Sequence, residues 1–475
     1  MLALSTGHIA GIVATLFAIT AVGVYAGRKV KTAADFSVGG HKASSTMIAG
    51  TIMGTLVGGA STIGTAELAF KYGACAWWFT LGAGIACAFL GLGMAKRLHD
   101  SGLETVPQFL VGIYGRNIGP VSCIFSSIGI FLSIVAQGLA AVALLTAMFS
   151  INPFTATAIG IVLVLGYVFF GGVWGTGLVG VAKLGLLYIA TIACGVIAYN
   201  LVGGYAGLAE KFTYQPWFSL FGRGINLDAA AGFSLIVGVL STQTYIQAIY
   251  SGKNAQTSRM GALISAIMIP PIGVGGILVG LYMKAYFPAT EAKEVLPVFI
   301  MKFLPPVAGG VVLATLLVAV IGTWAGLALG VSTMLTKDIY KQFFRKLAED
   351  KEILFVQRLL IFLVCALCMV FVTGNLKSMI LGWSFLSMGL RGCSILFPLM
   401  GAMFFPRLVT PIAGVLSAIL GPSANLVWHM MYPKGLDPLY PGLIVSFVTL
   451  VLVSMLASRR SELATIKETK QLFNE

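Results

Sequence analysis

The amino-acid sequence predicts an all-α polytopic membrane protein with about 13 transmembrane helices and a five-plus-five inverted-repeat core. Of its 475 residues, 58% are hydrophobic and only 10% are charged, whereas soluble domains carry about 25% charged residues. Its apolar stretches repeatedly reach the roughly 20 residues that a helix needs to cross a bilayer. Two of these stretches are interrupted by glycines and short polar side chains, five spans apart. This spacing is typical of two repeats that each begin with a discontinuous helix.

The predicted spans form one transmembrane domain over residues 1–475. The core repeats cover about 45–203 (spans 2–6) and 229–404 (spans 7–11), and the remaining spans are peripheral. In order, we expect spans at 7–26, 45–71, 75–97, 117–149, 153–171, 177–203, 229–250, 260–285, 307–334, 353–373, 376–404, 408–431 and 438–457.

The formal net charge of +14 would suggest a nucleic-acid partner in a soluble chain, but here the basic residues gather in short loops. Arg28 and Lys29 follow the first span, and Lys96 and Arg97 follow the third. Loops rich in Lys and Arg stay in the cytoplasm. We therefore expect a plasma-membrane protein with its N-terminus outside and its C-terminus inside, embedded in lipid and without a nucleic-acid partner. The sequence leaves its oligomeric state open.

The first interrupted span is Gly50–Gly73, GTIMGTLVGGASTIGTAELAFKYG. Glycine destabilises a helix interior by roughly 1 kcal/mol relative to alanine, and exposed carbonyls inside a membrane must face protein, water or an ion. The glycines therefore favour an unwound segment at a solute site, although close helix packing through Gly54-x-x-x-Gly58 is an alternative. The hydroxyl residues that we expect to contact the solute are Ser61, Thr62 and Thr65.

The second interrupted span contains the run Val237–Gln247, VGVLSTQTYIQ, which places amides and hydroxyls at mid-membrane. Gln243 and Gln247 are candidate solute ligands, together with Gln137 in the fourth span. For Gln137 the alternative is a hydrogen bond between helices, which contributes about 0.6 kcal/mol in membranes.

Two basic side chains, Lys183 and Arg391, lie in the middle of predicted spans. A charge at a helix centre costs roughly 2.5–3.5 kcal/mol, so each should face the protein interior and serve a purpose. Arg391 is a further candidate for solute binding. Glu67 is the acidic residue nearest mid-membrane, and we expect it to pair with one of these two cations. An ion pair that only fixes helix positions is the alternative.

Several motifs resemble the sodium/solute symporter family, which includes sodium/proline, sodium/sialic acid and sodium/sugar carriers. They are DFSVGGHK (35–42), GLETVPQFLVGIYG (102–115), the glycine pair Gly171–Gly172 and STMLTKDIY (332–340). The match covers nearly the whole chain. It implies a leucine-transporter-type fold and a cation/solute symporter that works by alternating access.

The resemblance also implies a cation site. The family's two backbone ligands at the first break correspond to Leu56 and Gly59, and its ninth-span ligands correspond to Ala319, Gly322 and Thr323. In the family, the positions of Gly322 and Thr323 both carry hydroxyl side chains. Here only Thr323 keeps one. Ala325, Gly326 and Gly180 stand where members with a second sodium carry further ligands, and Lys183 replaces a glutamine.

These losses suggest that the Lys183 ammonium supplies the positive charge that Na+ supplies in relatives. A buried lysine loses its proton readily, so proton coupling or ion-free exchange becomes the alternative to sodium coupling. In a third interpretation, Lys183 and Arg391 recognise the carboxylate of an anionic solute.

We therefore expect a secondary active transporter for a small organic solute, which the basic residues favour as carboxylate-bearing. The competing class is a membrane sensor that acts through a partner protein, although the tail after Ser458 is too short for a signalling domain. A channel is disfavoured because no repeated pore loop is present. No catalytic or metal-binding motif is recognised, and Cys365-x-x-Cys368 is interpreted as apolar packing.

Overall fold

The structure is a computed structural model that describes residues 4–27, 41–432 and 435–472, with side chains except in 23–27, 168–179 and 458–472. Most of the motif DFSVGGHK and the basic residues Arg28 and Lys29 therefore lie outside the described residues. The described chain is helical, and its only β contact is an isolated bridge between Ala43 and Gly252.

The helices of the first half begin where local sequence favours a helix start. Asn152 caps α8 by accepting from Thr155 N, and Pro153 follows it at the first helical position, where the missing N–H costs nothing. The elements are α1 (Thr6–Gly27), α2 (Ser45–Leu56), a π-helical turn (Ala60–Gly64), α3 (Thr65–Tyr72), α4 (Trp78–Phe89), α5 (Ala95–Asp100), α6 (Val106–Tyr114), α7 (Ile118–Phe149), α8 (Pro153–Leu201), α9 (Gly204–Lys211) and α10 (Tyr214–Trp217).

The second half follows the same rules, with Asn254 capping α13 by accepting from Thr257 N. Its elements are α11 (Ile225–Ser241), α12 (Gln243–Tyr250), α13 (Ala255–Tyr286), α14 (Val295–Phe303), α15 (Pro306–Met334), a π-helical extension (Leu335–Phe344), α16 (Asp350–Gly374), α17 (Ile380–Phe404), α18 (Pro411–Met431) and α19 (Leu439–Leu472).

Both predicted discontinuous helices are present. The first is broken at Val57–Gly59, between α2 and the π-helical turn. The second bends by 43° between α11 and α12, at Thr242. Because the breaks are five spans apart in the predicted order, they agree with the predicted fold class.

The count of thirteen spans stays a prediction. Among the described residues, nine helices are long and apolar enough to cross a membrane, or ten with the bent pair α11–α12. Residues 153–171 and 177–203 were expected to be separate spans, but α8 is helical from Pro153 to Leu201. Gly171 and Gly172 lower helix propensity without removing an N–H, so they do not have to end a helix as a proline would.

The core of the molecule surrounds α15, whose residues Leu313–Met334 are all buried. Helices α7, α8 and α2 pack against α15, and α2 also packs against α8 and α13. Helices α18 and α19 pack on each other and on α17, at the periphery. This arrangement brings the first break, the middle of α8 and the middle of α15 together.

Candidate functional site

The Lys183 side chain is fully buried beside the first break. Its ammonium donates to the carbonyl oxygens of Gly54 (2.6 Å) and Ala319 (3.2 Å) and to the Thr323 hydroxyl (3.4 Å). An ammonium has three donors and no acceptor, so these contacts use all three. Among the described residues, none forms an ion pair with Lys183. The carbonyl and hydroxyl dipoles around it therefore stabilise its charge, as they would stabilise a bound cation.

Thr323 connects this arrangement to the unwound segment. Its hydroxyl oxygen lies 3.2 Å from the carbonyl oxygens of both Gly54 and Val57. These carbonyls belong to the last turn of α2 and the residue that follows it, where the helix dipole places partial negative charge. Lys183 thus caps the C-terminal end of a half-helix.

The structure brings together only part of the predicted cation site. Ala319 and Thr323 contact Lys183, and a Cβ at Gly322 would lie 3.3 Å from its Nζ. At the break, Lys183 contacts the carbonyl of Gly54 and not that of Leu56, which lies two residues further along the chain. The Gly59 carbonyl accepts from Gly64 N at 2.8 Å, at the start of the π-helical turn.

Gly180 and Gly58 show how closely this region is packed. A Cβ at Gly180 would lie 2.3 Å from the Gly50 carbonyl oxygen, so the position has no room for a longer side chain without a shift of α2. A Cβ at Gly58 would lie 2.4 Å from Thr323 Oγ1 and 2.8 Å from Gln137 Oε1. The glycine at the first break therefore permits close approach of α7 and α15.

The predicted solute ligands of the first break are buried and engaged with backbone. Gln137 Oε1 accepts from Gly59 N at 2.8 Å, which is the hydrogen bond between helices that we had considered. Ser61 and Thr62 donate to the Gly58 carbonyl at 3.0 and 2.8 Å, and Thr65 donates to the Ala60 carbonyl. These side chains hold the unwound segment in shape. Their exchange of backbone partners for a solute remains a prediction.

Arg391 is fully buried at the second break. Its guanidinium donates to Thr242 Oγ1 (2.8 Å), Ser133 Oγ (3.0 Å) and Ser387 Oγ (2.8 Å), and Nε donates to the Ser387 carbonyl. Among the described residues, no carboxylate lies within ion-pair distance of Arg391. The partners of the guanidinium are hydroxyls, a carbonyl and the Met388 sulfur, all of them neutral, so no opposite charge compensates Arg391 there. Ser133 and Ser387 were missed in the sequence, where a lone mid-span hydroxyl is a weak signal, whereas Thr242 lies in the predicted run Val237–Gln247.

The expected ion pair between Glu67 and one of the buried cations is wrong. Glu67 accepts from Ile380 N at 3.0 Å, at the start of α17, and its other oxygen lies 3.8 Å from Lys71 Nζ. The N-terminus of a helix attracts a carboxylate, and Lys71 is one turn away. Glu67 therefore fastens α3 to α17, apart from Lys183 and Arg391.

Gln243 is held by the loop before α6 rather than by residues of the first break. Its amide accepts from Val106 N (2.8 Å) and donates to the Glu104 carbonyl (2.9 Å), with Gln247 3.4 Å away. In the same loop, the Thr105 hydroxyl donates a hydrogen bond to Oδ1 of buried Asp338 at 3.0 Å. Asp338, in the π-helical extension of α15, was missed because its motif lies at a predicted span end. Segment 104–106 thus joins α12 to the end of α15.

Comparisons with known proteins agree with this architecture. A family model described as "Sodium:solute symporter family" matches residues 36–421. The sodium/proline symporter of Escherichia coli (strain K12) is 24% identical over 97% of this chain and 95% of its own length. A high-affinity choline transporter of Drosophila melanogaster is 24% identical over 75% of this chain, which spans 61% of that relative's length.

Two solved structures share the fold. One is a Na+-coupled sialic acid symporter in a substrate-bound outward-open state. Its TM-score is 0.78 at 16% identity, covering 95% of this chain and 98% of that one. The other is Mhp1, a nucleobase-cation-symport-1 family transporter in a closed conformation. Its TM-score is 0.58 at 12% identity, covering 88% and 93%. At these identities the likeness establishes the fold alone.

Proposed function

The chain belongs to the sodium:solute symporter family, and from this premise we propose that it is a carrier in which the Lys183 ammonium takes the place of the sodium ion. It is a multi-pass membrane transporter of the secondary active symporter type, not an enzyme. The observation that carries the proposal is the set of three contacts from Lys183 to Gly54, Ala319 and Thr323. Two of these residues, Ala319 and Thr323, are among those that the family resemblance implies as cation ligands.

A sodium ion fits poorly beside this ammonium. Na+ needs several oxygen ligands, and two of those predicted here, Ala319 and Thr323, already accept from Lys183. Two unit charges about 4 Å apart repel by about 4 kcal/mol at an effective dielectric constant near 20. Sodium would bind only if Lys183 moved away or lost its proton. A buried lysine can release a proton, so we propose that uptake is coupled to protons. If Lys183 stays charged throughout, the carrier would instead work as an exchanger without any coupling ion.

We propose that the solute is a small organic molecule with a carboxylate, bound between the two breaks. Arg391 supports this class because it is a buried cation surrounded by neutral groups, and Arg pairs carboxylates with two parallel hydrogen bonds. Ser61, Thr62, Thr65, Gln137, Gln243 and Gln247 would supply further hydrogen bonds once the helices part. Proline and sialic acid, which relatives transport, carry a carboxylate, whereas choline does not.

The test is uptake into proteoliposomes with sodium, potassium and pH gradients varied independently. A thermal-shift screen of carboxylate-bearing solutes, with proline and a sialic acid included, would first provide a substrate. We expect uptake that is indifferent to sodium and that follows an inward proton gradient. Uptake that requires a sodium gradient would refute the role of Lys183 and leave a conventional symporter with a reduced cation site. Saturable binding without uptake would favour the sensor interpretation.

We place the protein in the plasma membrane with its N-terminus outside, since the basic loops support that orientation. Cysteine substitutions at exposed loop positions, labelled from either side of intact cells, would test it.

A further inference from the structure

A cavity lies apart from Lys183, where α11, α17, α18 and the start of α19 meet. Its volume is about 180 Å³. The polar groups on its wall are Arg223, Asn425, His429 and Asp437, and Phe385 and Leu227 supply apolar surface. In the predicted topology these helix ends lie on the outer side of the membrane. The cavity therefore opens between the transport core and the peripheral helices.

Arg223 does not supply free positive charge to this cavity. Its Nε and its backbone N donate to the two oxygens of fully buried Asp228, at 2.7 and 2.8 Å. The pair is therefore neutral overall, and the guanidinium also lies 5.7 Å from the centre of the Phe385 ring. A ligand would meet this corner as a neutral surface.

Asp437 carries the uncompensated charge. One of its carboxylate oxygens accepts from Leu439 N at 2.9 Å, at the start of α19. Within the part of the chain that the structure describes, no cation lies within ion-pair distance of Asp437. A partly buried carboxylate with a single backbone donor can still accept hydrogen bonds from a positively charged group.

Asn425 provides a second, independent sign of a ligand. Its side chain is only 2% exposed, and its Oδ1 has no hydrogen-bond partner among the described residues. Buried polar oxygens in proteins are nearly always hydrogen-bonded. An acceptor without a partner on a cavity wall therefore marks the position of a missing donor.

We propose that this cavity binds a small organic ammonium ion, whose N–H groups donate to Asp437 and Asn425 and whose hydrocarbon part packs on Phe385 and Leu227. Arg223 Nη2 lies 2.7 Å from Asp228 Oδ1 and is neutralised there. Asn425 Oδ1 and the Asp437 carboxylate are both acceptors, and one negative charge is left over, so the complementary ligand is a cationic donor. An aromatic face also attracts cations. The proposal is independent of Lys183 and of how transport is coupled.

The test is binding of n-butylammonium to the purified full chain by isothermal titration calorimetry, with n-butanol as the uncharged probe. We expect saturable binding of the ammonium and none of the alcohol. Asp437→Asn keeps the shape and removes the charge, and it should weaken binding roughly tenfold or more, as the loss of a charged hydrogen bond implies. Glu210→Gln, an exposed carboxylate elsewhere in the chain, should leave binding unchanged.

A second variant keeps the test valid if Asp437→Asn does not fold. Leu227→Trp, at a partly exposed position on the cavity wall, should fill the cavity and abolish ammonium binding. Equal binding of ammonium and alcohol, undiminished binding in both variants, or no saturable binding to the wild type would overturn the proposal. A sodium dependence of uptake would contradict the proposed role of Lys183 and would leave the ammonium site in this cavity unaffected.

The pH dependence gives a further check. Burial raises the pKa of the Asp437 carboxyl, so binding should be present at neutral pH and lost as the pH falls through that raised value. Arg223, Cys393, His429 and Tyr440 are the other titratable groups that interact with Asp437. Protonated His429 would also repel an ammonium. If His429→Gln loses ammonium binding over the same pH range as the wild type, the loss is assigned to protonation of Asp437. A loss that disappears in His429→Gln would count against Asp437.

Discussion

Replacing Lys183 by glutamine should allow sodium to bind where the ammonium now lies. Lys183 Nζ is 2.6, 3.2 and 3.4 Å from the oxygens of Gly54, Ala319 and Thr323. A cation on those oxygens would stand about 4 Å from Nζ, where the repulsion is about 4 kcal/mol at an effective dielectric constant near 20. Every 1.4 kcal/mol is about tenfold in affinity, so the variant should bind sodium roughly a thousandfold more tightly than the wild type.

The assay is the melting temperature of purified protein titrated with sodium at constant ionic strength, with N-methylglucamine as the replacing cation. The melting temperature of Lys183→Gln should rise with sodium, and that of the wild type should not. Lys211→Gln, which removes an exposed lysine, is the matched control and should behave as the wild type does. The reasoning is refuted if wild type and Lys183→Gln respond to sodium alike. In proteoliposomes the variant should lose proton-driven uptake.

Three further substitutions test the contacts around the two breaks. Gly58→Ala should abolish uptake and lower the melting temperature, because its Cβ would lie 2.4 Å from Thr323 Oγ1. Thr105→Val should lower the free energy of unfolding in denaturant by about 1–3 kcal/mol, since buried Asp338 loses the donor at 3.0 Å and Gln108 N loses the hydroxyl that caps α6. Arg391→Leu should abolish the thermal shift produced by carboxylate-bearing solutes, because the buried cation that would pair with them is removed.

Each of these predictions has a control within the chain. Gly166→Ala should have little effect, since a Cβ there meets no atom within 4 Å. Thr373→Val removes a hydroxyl that bonds only within its own helix and should be nearly neutral. Arg391→Lys keeps the charge and should retain part of the solute response. Normal uptake by Gly58→Ala, full stability of Thr105→Val or an unchanged solute shift in Arg391→Leu would contradict the corresponding contact.

The sequence was sufficient to predict the fold class and both helix breaks. Glycine and short polar residues weaken helices through local backbone effects, so the cluster at Gly58–Gly59 and the run containing Thr242 reveal the interruptions without any tertiary information. The charge of Lys183 in an apolar span likewise indicates by itself that the residue faces the interior.

Only the tertiary structure decided which groups meet. Lys183 reaches the Gly54 carbonyl and not that of Leu56, Glu67 accepts from Ile380 N, and the Gln243 amide bonds to a loop 137 residues earlier in the chain. Side chains a few residues apart on a helix point in different directions, and a hydrogen bond requires its donor and acceptor atoms within about 3.5 Å. Such contacts depend on how distant helices pack, and the identity of the residues does not determine that.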